Sequence, residues 1–302
     1  MKKIIYANKF PKEFDFFESY VKDVISRFYD NLELSCVIRI KFVKTLLKNE
    51  YVELAKVDSL STNKHILYLS YDLLYSIGSD TGNLFCMTIL HELVHINDYI
   101  RMVNTGLFKI DIRSKEQTEI DDFDVVRAFT FFTEFNAYYE TLKFAKYNKF
   151  KFEDITFSGL VSLYRKIIDA DEEYETIGFK SDLDVINYME MTEKFVHFCA
   201  RFMAAVHAGY SEIPYDRIKA NNDYDKVLSI IKEIGKVFEA IYKSPYGPDA
   251  YNNLLKLGDH LGVEIYKKLF KIDYIRTGYF IDCVYLTYFK RCLFNSSYKD
   301  NN

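Results

Sequence analysis

The chain has 302 residues, 49% hydrophobic and 28% charged, which is enough to bury the core of one large domain or two ordinary ones. Its net charge is −4 and it contains no long basic run, which argues against nucleic acid and against an anionic membrane surface as partners. Its longest apolar stretches, such as LFCMTIL at 84–90, fall far short of the roughly 20 residues of a membrane span, and the start MKKIIYANKF lacks the apolar centre of a secretory leader.

With only 11 Gly and 4 Pro, the composition favours long helices over many short strands. Residues 14–30 repeat their apolar positions at helical spacing. In LELSCVIRIKFVK, Leu34, Cys36, Ile38 and Ile40 alternate with other residues, a strand pattern, and HILYLSY at 65–71 predicts a second strand. The turn chemistry of SIGSDTG follows, and Ser79, Asp80 or Thr81 can cap a helix over 81–101. The polar stretch 104–123 reads as a loop, and an aromatic helix runs from Asp124 to about Lys146. Beyond residue 150 the pattern is helical throughout, over about 156–169, 184–208, 223–243, 250–270 and 276–293. The expected fold class is α+β and mostly helical. A small sheet lies beside helix 81–101 within residues 1–150, and an all-helical part occupies 151–302, with no Gly/Ser-rich linker between them. The five cysteines, Cys36, Cys86, Cys199, Cys283 and Cys292, are odd in number and form no CxxC pair, which predicts buried free thiols in a reducing cytoplasm.

The chemistry concentrates in CMTILHELVHINDYIR, residues 86–101, where two of only six histidines stand four apart with a glutamate after the first. On a helix, His91 and His95 share one face and can aim two imidazoles at one ion. Glu92 is turned aside, where it can take the proton of a metal-activated water. Six His and twenty Glu in 302 residues would produce such a spacing by chance about 0.01 times. Phe85, Ile89, Leu93, Ile96 and Ile100 form one apolar face of this helix, and Leu90 and Val94 add a second, so an unpaired polar cluster between them would be costly. Two core histidines satisfied by hydrogen bonds are the plainer alternative.

HELVH at 91–95 resembles the zincin metallopeptidases, and the resemblance covers about residues 65 to 147. It implies a Zn²⁺ cofactor, a strand beside the active helix, Glu92 as general base and a protein or peptide substrate. In the glutamate-ligand branch of that group the third ligand is a Glu on a later helix, and Glu134 in FFTEFNAYYE is the best match. Thr130, Ala137, Thr141 and Ala145 surround Glu134 with small side chains that let helices approach closely. The spacing of Glu134 and Ala137 is also similar to that of the ImmA/IrrE-type peptidases, although 39 residues separate His95 from Glu134 and no helix-turn-helix module is evident. Tyr138 stands where the thermolysin-like pattern has a supporting Asp.

Other assignments remain open at this level. Asp98, three residues after His95, can be the third ligand or can hold a histidine tautomer as a hydrogen-bond acceptor. Glu116 and Glu119 occupy a charged, solvated segment; Glu140 points elsewhere with Lys143 nearby; and Glu134 can simply pair with Arg127 two turns earlier. An oxyanion donor is also needed, and Tyr138 is named for it, with Tyr99, Tyr139, His197 and His207 as further choices. His197 and Cys199 lie two apart on a helix and do not face each other, which argues against a second metal there. The favoured reading is an intracellular zinc peptidase held by His91, His95 and Glu134. The alternative, from another class, is a non-hydrolytic, metal-stabilised binding or regulatory protein that keeps the same fold.

Overall fold

A computed structural model describes residues 3–48, 51–78, 83–104, 123–150, 157–177, 182–211 and 222–269. The expected helix over 276–293, the capping residues Ser79, Asp80 and Thr81, and Glu116 and Glu119 lie outside the described residues. The chain divides into two compact units. The first comprises Met1–Asp121, Phe132–Asp154 and His207–Tyr210, and the second comprises Asp122–Phe131, Ile155–Val206 and Ser211–Asn302. The architecture is α+β and mostly helical, with one four-stranded sheet among the described residues.

In the first unit, β1 (Ile4–Tyr6) precedes a 3-10 turn (Lys12–Phe17) and helix α1 (Glu18–Asn31). Glu33 then takes a positive φ of 54°, which turns the chain out of α1 towards the sheet. Strand β2 (Val37–Val43) buries Ile38, Ile40 and Phe42 and exposes Arg39 and Lys41, the alternation of a sheet with one face in the core. The strand begins at Val37 rather than at Leu34. Cys36 is held just before it, where its carbonyl accepts the Tyr29 hydroxyl at 2.6 Å.

A short hairpin, β3 (Leu46–Lys48) and β4 (Tyr51–Glu53), leads to β5 (Ala55–Ser61) and β6 (Lys64–Ser70). The sheet order is β1-β2-β6-β5; β1, β2 and β6 run parallel and β5 is antiparallel at the edge. Ser70 ends β6 and caps α2 (Tyr71–Tyr75), its hydroxyl accepting the Leu73 amide at 3.2 Å. Helix α3 (Asn83–Asn104) packs on α1 and β5, and its Phe85, Ile89, Leu93 and Ile96 join Ile38, Ile40, Leu67 and Leu69 in one core. From Phe132 onwards, α4 (Phe123–Tyr147) belongs to this unit and adds Ala137 to the same core.

The second unit is helical among its described residues. It contains α5 (Phe157–Ile177), nearly all of α6 (Asp182–Ala208), α7 (Asn222–Lys243) and α8 (Ala250–His260). Helix α5 continues eight residues past its expected end at 169, because ADEEYETI contains no glycine or proline to stop it. The segment expected as one helix over 250–270 is α-helical to His260 and π-helical over Leu261–Leu269. Gly258 lies where the first turn of α4 meets α8, and a Cβ there would collide with the Asp124 carbonyl.

Candidate metal centre

Helix α3 owes its place to its apolar content. Phe85, Ile89, Leu93, Val94 and Ile96 are each at most 1% exposed, and only Arg101 and Asn104 along the helix are open to solvent. The polar side chains His91, Glu92 and His95 are half-buried on the remaining face. The second half of α4 supplies Glu134, a carboxylate only 8% exposed, between the buried Phe131, Phe132 and Phe135 and one turn before Ala137.

The two imidazoles stand perpendicular, with ring centroids 4.6 Å apart at 86°. Their Nε2 atoms are 3.0 Å apart. Glu134 Oε2 lies 3.6 Å from His95 Nε2 and 3.9 Å from His91 Nε2. Ligands placed tetrahedrally at 2.0–2.1 Å from a zinc ion are about 3.3–3.4 Å from one another. The three observed separations bracket that value, so small side-chain adjustments would put all three donors on one ion. His91, His95 and Glu134 therefore form a group able to hold a metal ion. The donor set of two imidazoles and one carboxylate suits a borderline divalent cation.

Behind the trio is a second polar layer, in which the sequence pointed to Asp98, in one of its two possible roles, but not to Thr133 or Asn136. His95 Nδ1 is 2.9 Å from Thr133 Oγ1, and the Thr133 hydroxyl donates to Asp98 Oδ2 at 3.0 Å. Asn136 Nδ2 donates to both Asp98 oxygens, at 2.8 and 3.0 Å. Asp98 itself is 0% exposed. Thr133 immediately precedes Glu134 and Asn136 follows two residues after it, and nothing in the sequence sets them apart from the other polar residues of α4.

No family model, no curated protein and no solved structure matches the chain. The site's meaning therefore rests on its own geometry.

The other sequence candidates take the following places. Arg127, the alternative partner considered for Glu134, ion-pairs with Asp124 at 2.7 Å and donates to the Gly258 carbonyl. Glu140 is bound to Lys143 at 3.0 Å on the surface. Tyr138 is buried, one turn beyond Glu134. Tyr99 stands edge-on to His65 at 5.8 Å, and Tyr139 stacks on Phe135 at 6.0 Å. His207 meets the edge of Phe135 at 5.4 Å, while His197 lies on α6 in the second unit. Cys86, five residues before His91, lies 3.1 Å from the Tyr20 hydroxyl, and burial pushes its thiol above the ordinary range. It behaves as a core residue.

Proposed function

We propose that the chain is a zinc-dependent peptidase that hydrolyses a protein or peptide. The carrying observation is the triangle of two Nε2 atoms and one carboxylate oxygen with sides of 3.0, 3.6 and 3.9 Å. Two histidines and a glutamate leave a position open for water, the ligand set of a catalytic rather than a structural zinc. A zinc ion bound there lowers the pKa of its water towards 7 and polarises a carbonyl. Glu92 follows His91 directly and is half-buried, so it can accept the proton of the attacking water and return it to the leaving amine. Tyr138 is the proposed oxyanion donor. Strand β5, at the sheet edge and packed on α3, offers backbone groups with which an extended peptide could align. The resemblance of HELVH to the zincins supports the same reading.

We place this activity in the cytoplasm. Cys36, Cys86 and Cys199 are buried free thiols, and burial holds Cys36 at about 11, unreactive at neutral pH. No helix among the described residues is long and apolar enough to cross a membrane.

Protein purified without chelator should contain near-stoichiometric zinc, and His91→Ala should contain none. Glu92→Gln should keep the metal and lose hydrolysis of a quenched-fluorescence peptide library by about 10²–10⁴-fold. Wild-type protein without zinc would sink the proposal. Zinc binding together with hydrolysis that Glu92→Gln leaves untouched, or no hydrolysis at all, would assign the chain to the non-hydrolytic binding class instead.

A further inference from the structure

The layer behind His95 settles a question that the ligand geometry leaves open, namely which nitrogen of that ring carries its proton. The Thr133 hydroxyl donates its proton to Asp98 Oδ2 across their 3.0 Å contact. That hydroxyl has one proton to give. Towards His95 Nδ1, 2.9 Å away, Thr133 Oγ1 is therefore an acceptor, and Nδ1 must carry the hydrogen. The other ring nitrogen, Nε2, then presents its lone pair to His91 and Glu134, as a metal ligand must.

The same carboxylate also fixes the position of α4. Asn136 Nδ2 bridges both Asp98 oxygens, so residues immediately before and two after Glu134 are tied to one buried group on α3. We propose that Asp98, Thr133 and Asn136 form a positioning relay. It holds His95 in its Nδ1–H tautomer and sets Glu134 opposite the histidine pair, and Asp98 does not itself bind the metal. Partners of this kind raise ligand basicity and pre-orient the ring, and losing one weakens metal binding about 10- to 100-fold. The relay reaches the second histidine through the Thr133 hydroxyl, which makes Thr133 the selective point of attack. The proposal rests on the metal-site reading above.

Its test uses Zn²⁺ alone, titrated into the full chain against a competing chelator. Thr133→Val, nearly the same shape without a donor, should weaken Zn²⁺ binding about 10- to 100-fold, and Thr133→Ser should restore most of the loss. In metal-free wild-type protein at pH 8, the ¹⁵N shifts of His95 should show a protonated Nδ1 and a bare Nε2. This second readout holds even where Thr133→Val fails to fold. Thr133→Val that folds and binds Zn²⁺ as tightly as wild type, or a His95 protonated at Nε2, overturns the relay alone. Wild-type protein that takes up no Zn²⁺, with its His95 tautomer as described, overturns the metal reading and leaves the hydrogen-bond geometry standing.

Discussion

Helices α3 and α7 are both 22 residues long, and they use polar side chains in opposite ways. Helix α7 buries one stripe, Val227, Leu228, Ile230, Ile231, Ile234, Phe238 and Ile241, and turns its charges outward. There Glu233 meets Lys236 and Glu239 meets Lys243, each at 2.6 Å in solvent. Helix α3 is enclosed nearly all round, and its Asp98 is 0% exposed. Water solvates the charges of α7 and needs no specific partner, whereas every polar group inside α3 requires a placed one. An amphipathic helix thus explains itself by burial alone. A helix with polar groups on its inner face points to chemistry.

The largest test of this contrast is metal removal. Binding to the folded chain alone, at free zinc a thousand times the dissociation constant, adds about 4 kcal/mol of stability. Chelation should withdraw it and lower the melting temperature of wild type, while leaving His91→Ala unaffected. Hydrogen exchange should accelerate in α3 and in the second half of α4, with α7 unchanged. Equal acceleration in all three helices would mean that the ion, if bound, is not held where we place it.

The same contrast explains which parts of the molecule were readable in the sequence. Helix α7 follows a 3.6-residue periodicity, and β2 and β6 follow a two-residue one, so burial wrote them into the residues. Strand β5, AKVDSLS, has no such signal because its residues are mostly half-buried at a sheet edge, and only its pairing with β6 makes it a strand. At the site, the spacing of His91 and His95 was enough to suggest a shared ion. A contact between two helices cannot be read from either one alone. Asp98 was therefore open to two roles, since helical spacing gives a face but not a depth, and Thr133 and Asn136 become meaningful only when α4 is seen against α3.

His65 extends the argument to the sheet. Its ring is 1% exposed on β6, with Nδ1 3.0 Å from Ser59 Oγ and Nε2 3.2 Å from the Thr62 carbonyl. The carbonyl can only accept, so Nε2 carries a proton, and in the neutral ring Nδ1 accepts from the Ser59 hydroxyl. Burial pulls its pKa from the ordinary 6.5 down to about 4, partly countered by the Thr62 bond. Between these values the unfolded chain binds a proton that the folded chain refuses. The stability is full above pH 6.5 and is lost as the pH falls towards 4, by about 3 kcal/mol. Urea unfolding of wild type and His65→Leu over pH 4–7 isolates this slope from that of the carboxylates. Parallel curves for the two proteins would show that His65 is not held neutral by the fold.

The smallest expected effect is the control on α7. Glu233 lies on the surface, and its hydrogen bond to Lys236 holds its carboxyl below the usual range. Two long side chains, 69% and 50% exposed, lose rotamer freedom to make this contact, and salt screens what remains. A lowered pKa here is a statement about a surface pair, whereas the lowered pKa of His65 is a statement about the core. Glu233→Gln should therefore leave the melting temperature at pH 7 in physiological salt unchanged within error, and should leave zinc content unchanged as well. A loss comparable to that expected on acidifying wild type would mean that ion pairs on α7 are structural. The distinction between its outward charges and the enclosed polar groups of α3 would then fail.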